Sequence, residues 1–445
     1  MRCGAALFLC VVLSSSWTGC AEKATLLVGR DALRVGELSR ASRVCGKVSQ
    51  QSGSRDTQLA ALRCWLEAAR RRGRLRDVDA TLAARPVDAP TLYARALAQL
   101  AQDPSRVDQA LQLLQQASRL WPRQGEILYR QALVLLTDNR PKAALELLRR
   151  CETLQPSARC ILAGGHALLD LGETQQAQQK LRKAAMSELL PADVQQGHSL
   201  AARLARRARR APAKATRELK RAKVALDANR NAAALALLKA LTLDYPELGY
   251  AHSLLGVALL AQEEVAEAVV AFRRAKELSP LDGANAFYLG LIYESRGRRS
   301  EAEASYRAAL ERDPFLTRAL SRLGGLLMQG KRQKAAAKVF DRLAAMSTGA
   351  SAWRLAGRAY IATGAWEAAR HRYERVLADN SRDFEAHLRL GEILLHQAAA
   401  RSNSRAGESK EQLLARVREH ATAAASLRPM NPDVRELFAK LRQQQ

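Results

Sequence analysis

Gly256, Gly290, Gly324, Gly357 and Gly391 recur at spacings of 34, 34, 33 and 34 residues. Other small and bulky residues keep the same beat. Ala268, Phe272, Ala275 and Pro280 are followed 34 residues later by Ala302, Tyr306, Ala309 and Pro314. Within 283–296, Ala286, Leu289, Gly290 and Tyr293 fall at i, i+3, i+4 and i+7, one face of a helix, and Ala302, Tyr306 and Ala309 mark a second. Gly290 and Ala302 carry almost no side chain, so two helix backbones can approach closely while Tyr306 fills the neighbouring hole. Gly297 offers a left-handed residue where the first helix stops, and Pro314 ends the second. One such hairpin cannot bury its apolar face alone, whereas stacked neighbours can.

The order glycine, alanine, aromatic, alanine, proline at this period resembles the tetratricopeptide repeat, and 249–316 matches it at nearly every hallmark site. The resemblance implies an all-α fold, a superhelical array of helix–turn–helix repeats. Upstream, Ala110, Leu114 and Pro122 return 34 residues later as Ala144, Leu148 and Pro156. A third unit uses Gly164, Gly165, Ala177, Leu181 and Ala184. Downstream, Trp353, Gly357, Tyr360, Ala369 and Tyr373 make another, and the last opens with Leu390 and Gly391 and closes with Ala424 and Pro429. That last unit carries about fourteen extra residues, read as a flexible loop over Ala398–Glu411. Segments 57–90 and 215–248 read as eroded repeats, giving two expected blocks of four units each.

The expected organisation is a signal peptide over 1–19, an anchored N-terminus with first helices over 20–56, and an N-terminal block over 57–191. A basic connecting helix over 192–214 leads to a C-terminal block over 215–430. Asn431-Pro432 then starts a capping helix, 431–445, with an apolar stripe of Val434, Leu437, Phe438 and Leu441.

The leader has one charge, Arg2, then the apolar run Ala5–Leu13, too short for a bilayer but sized for a signal-peptide core. Thr18-Gly19-Cys20 resembles the lipobox of bacterial lipoproteins, although Trp17 departs from the usual aliphatic residue. That resemblance implies diacylation of Cys20 and anchoring in the cell envelope. Ala21, in place of Asp, implies sorting to the outer membrane, with the protein facing the periplasm. A plain secretory signal is the alternative. Beyond the leader, Cys45, Cys64, Cys151 and Cys160 form an even set that permits two disulfides in an oxidising compartment. Cys151 and Cys160 flank Pro156 evenly enough to face one another across a turn. The other reading is that all four are small buried hydrophobes.

The net charge is +27, with 56 Arg against 15 Lys. Such an excess suggests an acidic partner, though it also follows from a GC-rich genome. Export argues against nucleic acid. The excess concentrates in 200–223, where Arg203, Arg206, Arg207, Arg209 and Arg210 stand opposite Leu200, Leu204 and Ala208. This helix is either a solvated connector or a surface for anionic lipid, lipopolysaccharide or another polyanion.

No catalytic constellation stands out. Gly325–Arg332 approaches a phosphate-binding loop, but Arg332 replaces the required Ser or Thr and the preceding segment is a repeat helix. The seven histidines form no metal-ligand spacing, and neither metal nor cofactor is expected. His252 and His387 occupy a helix site that holds a bulky packing residue in the repeat family. The expectation is a non-enzyme that binds other proteins, components of envelope assembly. In the repeat family the first helices line a groove; here they contribute Tyr250, Val257, Leu260, Phe287, Leu291, Glu294, Arg318, Ser321, Met328, Arg354, Arg358 and Ile361. Phe287 is expected to be the buried anchor of a partner, with Arg354 and Arg358 selecting acidic groups.

Overall fold

The structure is a computed structural model that describes residues 25–444 apart from 31, 34–35, 52–54, 85–86, 188, 190, 209–210, 347–348 and 401–408. Cys20 and the leader lie outside the described residues, as do Arg209 and Arg210. The described residues contain helices and no strand. The chain divides into two compact units, Met1–Glu173 and Thr174–Gln445. Where the sequence placed a join at 192–214, this division falls inside the third N-terminal repeat.

In the first unit, helices Leu38–Gln51 and Arg55–Arg71 pack as a pair. Leu75–Ala83, Ala89–Gln102, Val107–Leu120, Gly125–Thr137, Pro141–Leu154 and Ala158–Asp170 follow, each packed against the helix before it. The second unit opens with Thr174–Ala185 and Pro191–Ala208. Six hairpins then run from Ala213 to Leu427, rather than the four expected of this block. They are Ala213–Asp227 with Asn231–Asp244, Gly249–Ala261 with Val265–Leu278, Ala284–Ser295 with Arg299–Arg312, Thr317–Gln329 with Gln333–Met346, Ala350–Ala362 with Trp366–Asp379, and Phe384–Ala400 with Lys410–Leu427.

The periodic glycine decides how the two helices of a hairpin meet. A Cβ built on Gly256 would stand 2.8 Å from the Phe272 ring, one on Gly290 2.5 Å from Tyr306, and one on Gly357 2.6 Å from Tyr373; Gly324 faces Phe340 in the same way. In each case the ring comes from the partner helix sixteen residues on, and Phe272, Tyr306, Phe340 and Tyr373 are all buried. Removing the Cβ lets the ring lie flat on the first helix, so the core of each hairpin is an aromatic slab on bare backbone. The last hairpin departs from this. Gly391 has no aromatic in its own second helix, and its hole is filled by Leu437 of the terminal helix Pro432–Gln443, 2.6 Å from the position a Cβ would take. Asn431 caps that helix by accepting from the Asp433 and Val434 amides, and Val434, Leu437 and Leu441 are buried.

The turn inside each hairpin also keeps the beat. Asn229, Glu263, Gly297, Lys331 and Gly364 have φ of 55°, 61°, 70°, 56° and 71°. Packing imposes the left-handed residue even where the side chain disfavours it. Lys331 therefore sits in a turn after helix Thr317–Gln329, not in a phosphate-binding loop. The expected loop over Ala398–Glu411 is shorter at both ends: the helix continues to Ala400, and Ser409 opens the next with a reciprocal capping box to Gln412.

Helix Pro191–Ala208 is not a solvated spacer. Its apolar stripe is buried, with Leu200 and Leu204 in the core. Gly197 lies flat on the Phe315 ring, and His198 meets the edge of that ring at 5.7 Å. Arg182, on the preceding helix, donates to the Glu311 carbonyl at 2.6 Å.

Gly290→Leu should destabilise the protein by about 1–3 kcal/mol, because the Tyr306 ring has no free volume to yield. Arg307 is exposed and pairs only with Glu303 at 2.7 Å, so Arg307→Ala should change stability by less than about 0.5 kcal/mol. Denaturant melts of the two variants check this, and equal small effects would contradict the packing described.

Candidate functional site

The first helices of successive hairpins in the second unit leave a row of apolar side chains partly open. Tyr250, Val257, Leu260, Leu291, Met328 and Ile361 are each half-buried, and Ser321 is exposed. They lie on helices Gly249–Ala261, Ala284–Ser295, Thr317–Gln329 and Ala350–Ala362. Their neighbours at the buried helix positions, such as Ala258, Leu259 and Leu327, face the core.

Phe287 does not join this row. It is 5% exposed, its ring centroid lies 5.9 Å from those of Tyr288 and Tyr306, and the Arg318 guanidinium covers it at 5.6 Å. An arginine from the next repeat roofs the position expected to hold a partner's anchor, so Phe287 is core. Glu294 is also committed internally: it accepts from the Tyr306 hydroxyl and lies 3.8 Å from Arg322. Burial and this carboxylate together raise the Tyr306 hydroxyl pKa well above its ordinary value.

The two arginines expected to select acidic partners are already paired. Arg354 holds Asp383 at 3.1 Å, and Arg358 grips Glu385 with two bonds of 2.6 and 2.7 Å. They line a cavity of about 540 Å³ together with Arg382, Phe384, Arg389 and Arg428. Arg428 stacks over Phe384 at 4.5 Å. The arginines therefore contribute structure between repeats first and recognition second.

Of the candidate polyanion residues, Arg203 is half-buried on helix Pro191–Ala208, and Arg206 and Arg207 lie on the same helix. The stripe opposite them is spent on the protein core, so this helix has no free apolar face to lay against a bilayer.

Both cysteine pairs are joined. Cys151 and Cys160 are linked with Cα atoms 6.2 Å apart, and Cys45 and Cys64 with Cα atoms 5.9 Å apart. The first closes the turn after helix Pro141–Leu154, and the second ties Leu38–Gln51 to Arg55–Arg71.

The histidines serve packing and turns. His252 Nε2 donates to the Pro246 carbonyl at 2.9 Å and His387 Nε2 to the Ser381 carbonyl at 3.0 Å, the same bond in two repeats. With Nε2 committed as donor, His387 Nδ1 is left to accept from His420 Nδ1, 3.0 Å away. His396 stacks on Trp366 at 4.0 Å. Among the described residues no group of three or more His, Cys, Asp or Glu is placed to hold a metal, and no helix is long and apolar enough to cross a membrane.

Burial, then the neighbouring His387, pulls His420 down from 6.5 to about 4, with Glu419, Arg416 and Glu374 also facing it. A lowered histidine is charged in the unfolded chain before it is charged in the folded one. Its contribution to stability is therefore intact above pH 6.5 and is lost as pH falls towards about 4. Thermal melts across that window should show a smaller loss of Tm in His420→Gln than in the wild type; parallel losses would contradict the assignment.

A family model described as Tetratricopeptide repeat matches residues 93–159, 219–283, 288–351 and 354–427, together more than half of the chain. Comparison with curated protein sequences finds no match. Solved structures with a similar fold include the APC/C hetero-tetramer Cut9–Hcn1, at 13% identity over 94% of this chain and 96% of that one, with a TM-score of 0.33. PilF of Pseudomonas aeruginosa is similar at 15% identity over 51% and 97% of the two chains, with a TM-score of 0.37. YrrB, a repeat protein with an unusual peptide-binding site, is similar at 14% over 45% and 97%, with a TM-score of 0.38. The glycine–aromatic hairpins, the 34-residue turn and the family match agree: this chain belongs to the tetratricopeptide repeat family.

Proposed function

We propose that this protein is a non-enzymatic scaffold, diacylated at Cys20 and held in the outer membrane facing the periplasm, that binds envelope-assembly proteins along the first-helix face of its second unit. Tetratricopeptide repeat proteins act as protein-interaction scaffolds. The observation that carries the reading here is the half-open row Tyr250, Val257, Leu260, Leu291, Met328 and Ile361. A helical or extended partner segment with apolar anchors suits such a row, because each repeat presents one partly covered side chain at a regular interval. The two disulfides support an oxidising compartment, in keeping with the leader before Cys20. The arginines around Arg354 and Arg358 favour acidic flanks on the partner, by their field more than by free donors.

Anchoring predicts that Cys20→Ser abolishes incorporation of a labelled fatty acid and releases the protein from the membrane fraction. Unchanged membrane retention with no label on the wild type would contradict it. Groove binding predicts that Leu260→Glu with Leu291→Glu removes the proteins crosslinked to the wild type in intact envelopes while circular dichroism stays unchanged. Arg203→Glu should leave the same set in place. A reversal of those two outcomes would move the site to the basic helix.

A further inference from the structure

The first unit holds a charge arrangement of its own. Glu126, at the start of helix Gly125–Thr137, is 4% exposed. Arg63 reaches its Oε1 at 2.6 Å, Arg130 reaches Oε1 at 3.0 Å, and Arg159 reaches Oε2 at 2.8 Å. The Tyr93 hydroxyl donates to Oε1 at 3.0 Å. These residues come from four helices at matching positions in successive repeats: Arg55–Arg71, Ala89–Gln102, Gly125–Thr137 and Ala158–Asp170. Burial pushes the Glu126 carboxyl up, but the three guanidinium groups more than cancel this and hold it below its ordinary value, so it stays ionised.

One carboxylate thus faces three cations. No other carboxylate of the described residues pairs with Arg63, Arg130 or Arg159. Three guanidinium groups carry fifteen N–H donors, against about four acceptor positions on a carboxylate. The surplus is not sealed away: the arginine side chains are 31%, 29% and 25% exposed. Arg130 and Arg159 also lie 5.8 and 5.5 Å from the Tyr129 ring, which fixes their planes. Glu126 gathers the three charges, and two remain without a counter-charge.

We infer that Arg63, Arg130 and Arg159 form a recognition centre for the carboxylates of an acidic polypeptide segment laid along the first helices of the first unit. Two acidic side chains would neutralise the surplus, each accepting paired donors from a guanidinium edge. A polypeptide fits better than a compact anion because the arginines are distributed along successive helices, so consecutive ligand residues can meet consecutive repeats. The site is independent of the apolar row in the second unit.

The test is a fluorescence-anisotropy titration of the full chain with a labelled hexaglutamate peptide, with inorganic pyrophosphate titrated in parallel. Arg63→Gln with Arg159→Gln should weaken peptide binding at least about tenfold, since each variant removes a charge-assisted contact. Removing two exposed cations elsewhere, Arg217→Gln with Lys220→Gln, should change it less than about twofold, as expected of screened distant charge. Glu126→Gln deletes the internal competitor and should tighten binding several-fold in protein whose helicity is intact, an effect that a purely structural network would not produce. The inference is overturned if the wild type does not bind the peptide, if pyrophosphate binds and the peptide does not, or if both arginine pairs weaken it alike. Failure of Glu126→Gln to tighten binding overturns it too. Leu260→Glu with Leu291→Glu should leave peptide binding unchanged, so loss of the second-unit groove reading would not disturb this result.

Discussion

The contact of an aromatic ring with a helix that has no Cβ beneath it is the constraint on which the second unit rests. It sets the separation of the two helices in each hairpin, and from that separation follow the turn and the stacking distance to the next hairpin. The ring has to come from a fixed place on the second helix, which is why Gly256 and Phe272, Gly290 and Tyr306, Gly324 and Phe340, and Gly357 and Tyr373 share one spacing. The turn follows from it too. Glu263 and Lys331 adopt a conformation that side chains disfavour, at a cost of order 1–2 kcal/mol each, because the hairpin leaves the chain no other route.

Local periodicity made this part of the fold legible. Glycine, alanine and aromatic positions report directly on close packing, and the all-α repeat array follows from them. What the sequence concealed were contacts between repeats. Phe287 stands at a position open to a groove within its own hairpin, and only Arg318 from the next repeat closes it. Arg354 and Arg358 look like free cations until Asp383 and Glu385 of the following hairpin are brought to them. Packing of the 191–208 helix on Phe315, more than a hundred residues away, leaves no trace in any repeat pattern. The arginine centre around Glu126 had a weak signal, a Glu126–Arg130 pair four residues apart on an otherwise apolar helix, but its other members arrive from different repeats.

The two units treat charge differently. In the second, arginines of one hairpin meet carboxylates of the next, one to one, as with Arg358 and Glu385 or Arg332 and Glu303. Such pairs fix the register between hairpins and leave little net field behind. In the first, three arginines share Glu126, and the imbalance is concentrated on a single face. A chain of net charge +27 therefore has its basicity apportioned, partly as mortar between repeats and partly as a focused potential.

The terminal helix has a consequence for how such an array can grow. Each earlier repeat carries its own ring for its own glycine, so it is a self-sufficient module that duplication could copy. The hairpin at Gly391 lacks one and borrows Leu437 from the helix after it. Copying that hairpin alone would leave an empty socket, and inserting a new repeat behind it would pull the plug out of the old one. The end of this array behaves as a keystone, set once and inherited with its neighbour, while the interior repeats remain free to multiply or erode.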